Sequence, residues 1–281
     1  EIDHFLILGW NRKVLSILTF LEALNKRQAV VLLSNADIDM VSEEVRHVER
    51  NFKHVTVIPQ HGSPTLAAEL ERVSIRESSS VVLLADEVDD TSDQSNDIPT
   101  IKSLMQLDNV AWHGKRPNIV VEVANKENLD LVEMASTVSV PVVSSADFVS
   151  KTLVQCARYE GYAEVYSSIF AFENNEIQIR KMDGIDGKLF GELAEQLESA
   201  ILLGVSWTEF KDGVERRVAI LNPEPDYDLV EDEELIVLGE TMTELLEYRH
   251  KEAHEAIEFE AKPYERPNLK KALILGWNDN I

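Results

Sequence analysis

Apolar positions in the first 145 residues fall into two alternating patterns. One is the short, nearly unbroken block: Phe5–Leu8, Ala29–Leu33, Val55–Ile58, Ser80–Ala85, Asn118–Val123 and a brief Val140–Val143. Blocks of this length bounded by polar or glycine positions are the signature of strands buried on both faces of a parallel sheet. The other pattern recurs every three to four residues. It is clearest at Val14, Leu15, Ile17, Leu18, Leu21 and Leu24, a helix that buries one face. Further helices are predicted over Val41–Phe52, Leu66–Val73, Ile101–Leu107 and Glu127–Met134. The turn His61-Gly62-Ser63-Pro64-Thr65 predicts a cap for the third helix, with Ser63 or Thr65 accepting backbone N–H bonds. Strands and helices alternating at this spacing predict a Rossmann-like, doubly wound parallel sheet.

The pattern then changes. From Ala146 to about Ile169 it is helical (Phe148, Leu153, Val154, Ala157, Val165, Ile169), with Gly161 as the predicted break. Ile177 and Ile179 alternate with polar neighbours, and Gly187–Leu197 reads as a helix. Ile201–Trp207 and Arg216–Leu221 read as strands joined at Lys211-Asp212-Gly213, followed by a strand at Glu234–Leu238. This predicts a small α+β lobe with antiparallel strands. Thr241–Ala261 reads as an acidic helix or tether, and Lys262–Asn268 as a linker. The expected organisation is an α/β lobe over residues 1–145, a helical crossover at 146–171, an α+β lobe at 172–240 and a tail at 241–281.

The hexapeptide Leu6-Ile7-Leu8-Gly9-Trp10-Asn11 returns at Leu273–Asn278. A strand that opens one domain is thus expected to open a second, and both ends read as cuts in a longer chain.

Composition narrows the class. The net charge of −24 argues against nucleic acid and anionic lipid as partners and is compatible with cation binding. Cys156 is the only cysteine, so no intramolecular disulfide can form; its place in a helix predicts a buried structural thiol. No apolar run approaches the ~20 residues of a membrane-spanning helix.

Three sets of residues could carry chemistry. A dinucleotide site needs G-x-G-x-x-G after the first strand so that backbone can approach a pyrophosphate. Here the turn reads Gly9-Trp10-Asn11-Arg12-Lys13-Val14, with one glycine and with Trp10 where the approach should be closest. NAD(H) binding is therefore expected to be absent; a nucleotide reading would use Gly9, Gly62 and Ser63. The segment Asp86–Asp97 holds six acids (Asp86, Glu87, Asp89, Asp90, Asp93, Asp97) after the fourth strand, at the edge where such sheets bind ligands. Clustered carboxylates on a loop suit Ca²⁺, and Glu122 on the fifth strand could reach the same edge. The spacing is not that of an EF-hand. The bland alternative is a solvated loop whose Asp residues cap a helix. The acidic run Glu224–Glu234 and the pair His250/His254 read as polar surface. No Ser–His–Asp or Cys–His set can be picked out, and a non-enzymatic chain is expected.

Four stretches together resemble the cytosolic RCK (TrkA-like) regulatory region of the CASTOR/POLLUX-type ion channels. They are Leu6–Trp10 with its echo at Leu273–Trp277; Gly62-Ser63-Pro64 with Leu70–Ile75; Ala85-Asp86 with Asp93–Asp97; and Gln155-Cys156-Ala157-Arg158 with Phe172-Glu173-Asn174. The resemblance implies a membrane pore before Glu1, a second regulatory domain after the linker, and a tetrameric gating ring for a potassium or other cation channel. It also implies that the helices around Gly161 pair two copies. In calcium-gated relatives, acids at the ends of the fourth and fifth strands ligate the ion. Asp86 or Asp89, and Glu122, match those places, with Asp90 and Asp93 close by; the other expected acid falls at Ala124. Three readings follow: a Ca²⁺-responsive regulatory domain, a nucleotide-binding sensor or oxidoreductase, and a purely structural ring module.

Overall fold

The computed structural model describes residues 3–85, 97–112, 114, 116–171, 175–197, 200–211 and 214–240. They fall into two compact units, divided at Thr152/Leu153.

The first unit is an α/β layer structure. Its strands are β1 (His4–Leu8), β2 (Gln28–Ser34), β3 (Val55–His61), β4 (Ser78–Leu83), β5 (Asn118–Val123) and β6 (Val142–Ser144). All pair in parallel in the order β3-β2-β1-β4-β5-β6. The chain thus runs outward from β1 to β3, returns, and runs outward from β4 to β6. The reversal places a crevice between β1 and β4 at the carboxyl edge, where sheets of this kind take ligands.

Alternate strand residues feed two cores, as the period of two requires. Leu6, Leu8, Val81, Leu83, Val121 and Val123 pack on one face with Leu104 and Leu107 of helix α4 (Asp97–Asp108) and Val132 of α5 (Leu129–Met134). Ile7, Val30 and Leu32 face Val14 and Leu18 of α1 (Lys13–Ala23) and Val41 and Val45 of α2 (Ile38–Glu49). Asp37 caps α2 by accepting from the N–H groups of Asp39 and Met40. The cap predicted before α3 (Ala67–Arg72) is not made. Ser63 and Thr65 hydroxyls bond one another at 2.8 Å, and α3 starts after Leu66 without a side-chain cap.

Two helices follow: α6 (Ser145–Arg158) and α7 (Tyr162–Phe170), broken at Gly161, whose φ of +91° is one that glycine reaches without a Cβ penalty. No residue of either helix is buried. Cys156 is half-buried, not buried as its apolar neighbours suggested.

The second unit closes with a four-stranded antiparallel sheet in the order β7-β10-β8-β9, made by β7 (Asn175–Lys181), β8 (Ala200–Lys211), β9 (Val214–Leu221) and β10 (Glu234–Glu240). Helix α8 (Phe190–Gln196) covers one face with Phe190 and Leu193 over Leu202, Val205, Leu235 and Val237. Most of the acidic run before β10 is surface, with Glu224, Asp226, Asp228, Glu231 and Asp232 exposed, but one member turns inward. Buried Glu233 accepts from the Tyr227 hydroxyl at 2.5 Å and from Val230 N–H at 3.1 Å.

Candidate functional site at the carboxyl edge

Three strand ends meet at one buried carboxylate. Glu122 lies one residue before the end of β5 and is almost wholly buried. Asn11, two residues beyond the Gly9 turn, is also buried. Its side-chain amide donates to the Ala85 carbonyl at 2.7 Å and to Glu122 Oε2 at 3.2 Å, and its oxygen accepts from Lys13 N–H at 2.9 Å. Lys13 Nζ and Ser145 Oγ both donate to Glu122 Oε1, and Lys13 Nζ reaches Ser145 Oγ at 3.3 Å. The carboxylate is therefore met by an ammonium, an amide and a hydroxyl. Burying it without such partners would be prohibitive.

A second buried acid stabilises the same edge. Asp97, fully buried at the start of α4, accepts from Ala124 N–H at 2.7 Å, Asn125 N–H at 3.0 Å and Asn128 Nδ2 at 2.7 Å. It fastens α4 to the turn after β5. Asp108, at the far end of α4, is held by Thr137 N–H, by the Ser136 and Thr137 hydroxyls and by Arg116. Burial pushes its carboxyl up, but these donors and the guanidinium outweigh it and leave the pKa below the usual value.

The crevice beside Gly9 is small. Gly9, Pro64, Thr65, Leu83 and Thr100 line a nook of about 20 Å³, room for about one water molecule. Gly9 has a φ of +100° and holds the turn, while Trp10 is buried in the core with Val14 and Leu18. Gly62 N–H is spent on the Ser34 carbonyl.

Of the residues with a predicted role, Gly9, Gly62, Ser63, Asp97 and Glu122 are described. Asp86, Asp89, Asp90 and Asp93 lie outside the described residues, as do His250 and His254. Among the described residues no group of three or more His, Cys, Asp or Glu side chains is placed to hold a metal. Nor is any helix among them long and apolar enough to cross a membrane.

Two family models match successive parts of the chain. Residues 2–144 match the calcium-activated potassium channel slowpoke-like RCK domain. Residues 146–255 match a segment described as Castor and Pollux, part of voltage-gated ion channel. The chain belongs to the slowpoke-like RCK domains. A "Probable ion channel POLLUX" of Oryza sativa subsp. japonica is 31% identical over 243 residues, covering 85% of this chain and 24% of its own length. The ion channel CASTOR of Lotus japonicus is likewise 31% identical over 243 residues, 27% of its length. This RCK chain thus spans about a quarter of the relatives it matches. The human SLO3 gating ring shares the fold, with a TM-score of 0.55 at 15% identity over 85% of this chain and 44% of that one.

Asn11, Lys13 and Ser145 were not singled out from sequence. Asn11 closes the repeated hexapeptide, which was a signal. Lys13 and Ser145 gave none, because what unites them is the position of β5 between them.

Proposed function

We propose that this RCK chain is a cytosolic, non-enzymatic regulatory domain of a cation channel, which pairs with further copies in a gating ring and couples ligand binding to a pore. The observation that carries this reading is the pair α6 and α7. Twenty-three helical residues contain none that is buried, yet Phe148, Val149, Leu153, Val154, Val165 and Phe170 are all exposed. Leu153 is 62% exposed. An apolar surface of this kind marks a protein interface.

A closed ring of paired domains needs a second contact face on each copy. The first unit supplies a candidate: Ile98 and Met105 on α4 and Leu131 and Met134 on α5 are exposed, Met134 at 82%. The CASTOR and POLLUX relatives are named as ion channels, and a gating ring has this fold. Both support the assignment to a channel.

The ligand we propose is Ca²⁺, on the strength of Asp86, Asp89, Asp90 and Asp93 after β4. Differential binding to two packings of paired domains would then bias a pore.

Light scattering and Ca²⁺-dependent melting test the two halves. The chain is expected to run as a dimer or larger. Leu153→Asp with Val165→Asp should give monomers, since each buried aliphatic contributes about 1–3 kcal/mol to an interface. A monomeric wild-type chain at high concentration would refute assembly through these helices. A melting temperature unmoved by Ca²⁺ would refute a Ca²⁺ site within this chain.

A further inference from the structure

The donors around Glu122 do not fit a metal. Ca²⁺ takes about six to eight oxygen ligands. Here one carboxylate is met by two nitrogen donors and a hydroxyl that itself donates to it. The arrangement fits an ammonium, and an ammonium is what it holds. Lys13 is well placed for this role. Its side chain is 56% exposed against 7% for Glu122, so the stem lies at the surface while the charge turns inward.

The same network holds the origin of the crossover helix. Ser145 is the first residue of α6, and its hydroxyl both donates to Glu122 and accepts from Lys13. Packing there is thin. Strand β6 has only three residues, paired with β5 as Val121↔Val142, Glu122↔Val143 and Val123↔Ser144. Beside them an apolar trough of about 320 Å³ opens between Phe20 of α1 and Val143 of β6. Where few side chains hold the helix origin, polar bonds to one carboxylate fix it. Asn11 joins β4 to the same point through Ala85, the residue before the acid-bearing segment.

We propose that Lys13 is a built-in cation. It takes, at the end of β5, the place that a metal ion would hold in a metal-responsive site, and so latches the first turn of α6 to the sheet without metal. The inference goes beyond the gating-ring reading and does not depend on it. Residue Glu122 is thereby withdrawn from any Ca²⁺ site, and a Ca²⁺ response has to be carried by other acids.

Hydrogen exchange of the full chain, in EDTA and again in Ca²⁺, tests the latch. Wild-type amides at 145–150 should show the same protection in both. Lys13→Met should lower that protection roughly tenfold, because the buried carboxylate loses its counter-charge. Lys13→Arg should retain most of it. Lys13→Met with Glu122→Gln should regain the melting temperature lost in Lys13→Met, because no unpaired charge stays buried, but not the local protection. Unchanged protection in Lys13→Met overturns the latch. So does wild-type protection that appears only with Ca²⁺, which would give the site to a metal. Should Lys13→Met not fold, wild-type protection at 145–150 in the folded double variant overturns it equally. A Ca²⁺-induced melting shift that survives Glu122→Gln supports the latch and places sensing elsewhere. A shift lost in that variant refutes the latch while leaving assembly, judged by light scattering, untouched.

Discussion

Replacing Asp97 by alanine should be among the most damaging single changes in the first unit. The carboxylate is fully buried and accepts three hydrogen bonds, two of them from the backbone N–H groups of Ala124 and Asn125. Hydrogen bonds to a charged acceptor contribute about 1.5–3 kcal/mol each, and a buried donor left without a partner costs about 1–3 kcal/mol. Some relaxation and water entry will offset this, so Asp97→Ala should cost about 3–5 kcal/mol. For a unit of this size that lowers the melting temperature by on the order of 10 °C. Asp97→Asn keeps one acceptor oxygen and turns an N–H₂ toward donors, so it should fall between the two. Circular dichroism melts give the global loss, and hydrogen exchange at Ala124 and Asn125 gives the local one. A loss under about 1 kcal/mol in Asp97→Ala would refute the reasoning, because those N–H groups would then have found other partners.

Other outcomes are open to measurement. Gly161→Ala should cost about 1 kcal/mol from its positive φ alone, since an added Cβ meets nothing within 4 Å. A thermal melt that shows no loss would mean the turn is not held left-handed. Burial, reinforced by the hydrogen bond to Glu233, pushes the Tyr227 hydroxyl up to about 12. Its stabilisation is complete below the free tyrosine value of about 10 and is lost as pH rises through about 12. The melting gap between wild type and Tyr227→Phe should therefore narrow across that window. Asp108 is shifted the other way, so its contribution is present above the ordinary aspartate value of about 3.8 and fades as pH falls through its lower folded pKa. The gap between wild type and Asp108→Asn should close in that acid range, as followed by fluorescence.

Much of the fold was legible because burial on both faces of a parallel sheet writes itself as unbroken apolar blocks. Phe5–Leu8 and Asn118–Val123 are strands in the structure, and Gly161 breaks the crossover. The cap before α3 was misread, because Ser63 and Thr65 satisfy each other rather than the helix. The site was harder to see. Glu122 was picked for its place at a strand end, which is a property of sequence. Its partners Asn11, Lys13 and Ser145 follow the carboxyl ends of β1 and β6, and only the strand order brings them together. The same holds for Asp97: one of six acids among twelve residues by sequence, and set apart from the solvated-loop reading by the three donors that close around it.

The bare faces of α6 and α7 have a consequence for how the chain acquires its shape. Helices of 14 and 9 residues are marginal in water unless an apolar face is covered, because nucleation is costly and propensity alone adds little. Covering that face in the proposed pairing would supply part of the free energy that makes the two helices form. Their helicity should depend on protein concentration, rising as copies meet and fading on dilution by mass action. On the pairing proposed above, folding of these helices and association are one equilibrium.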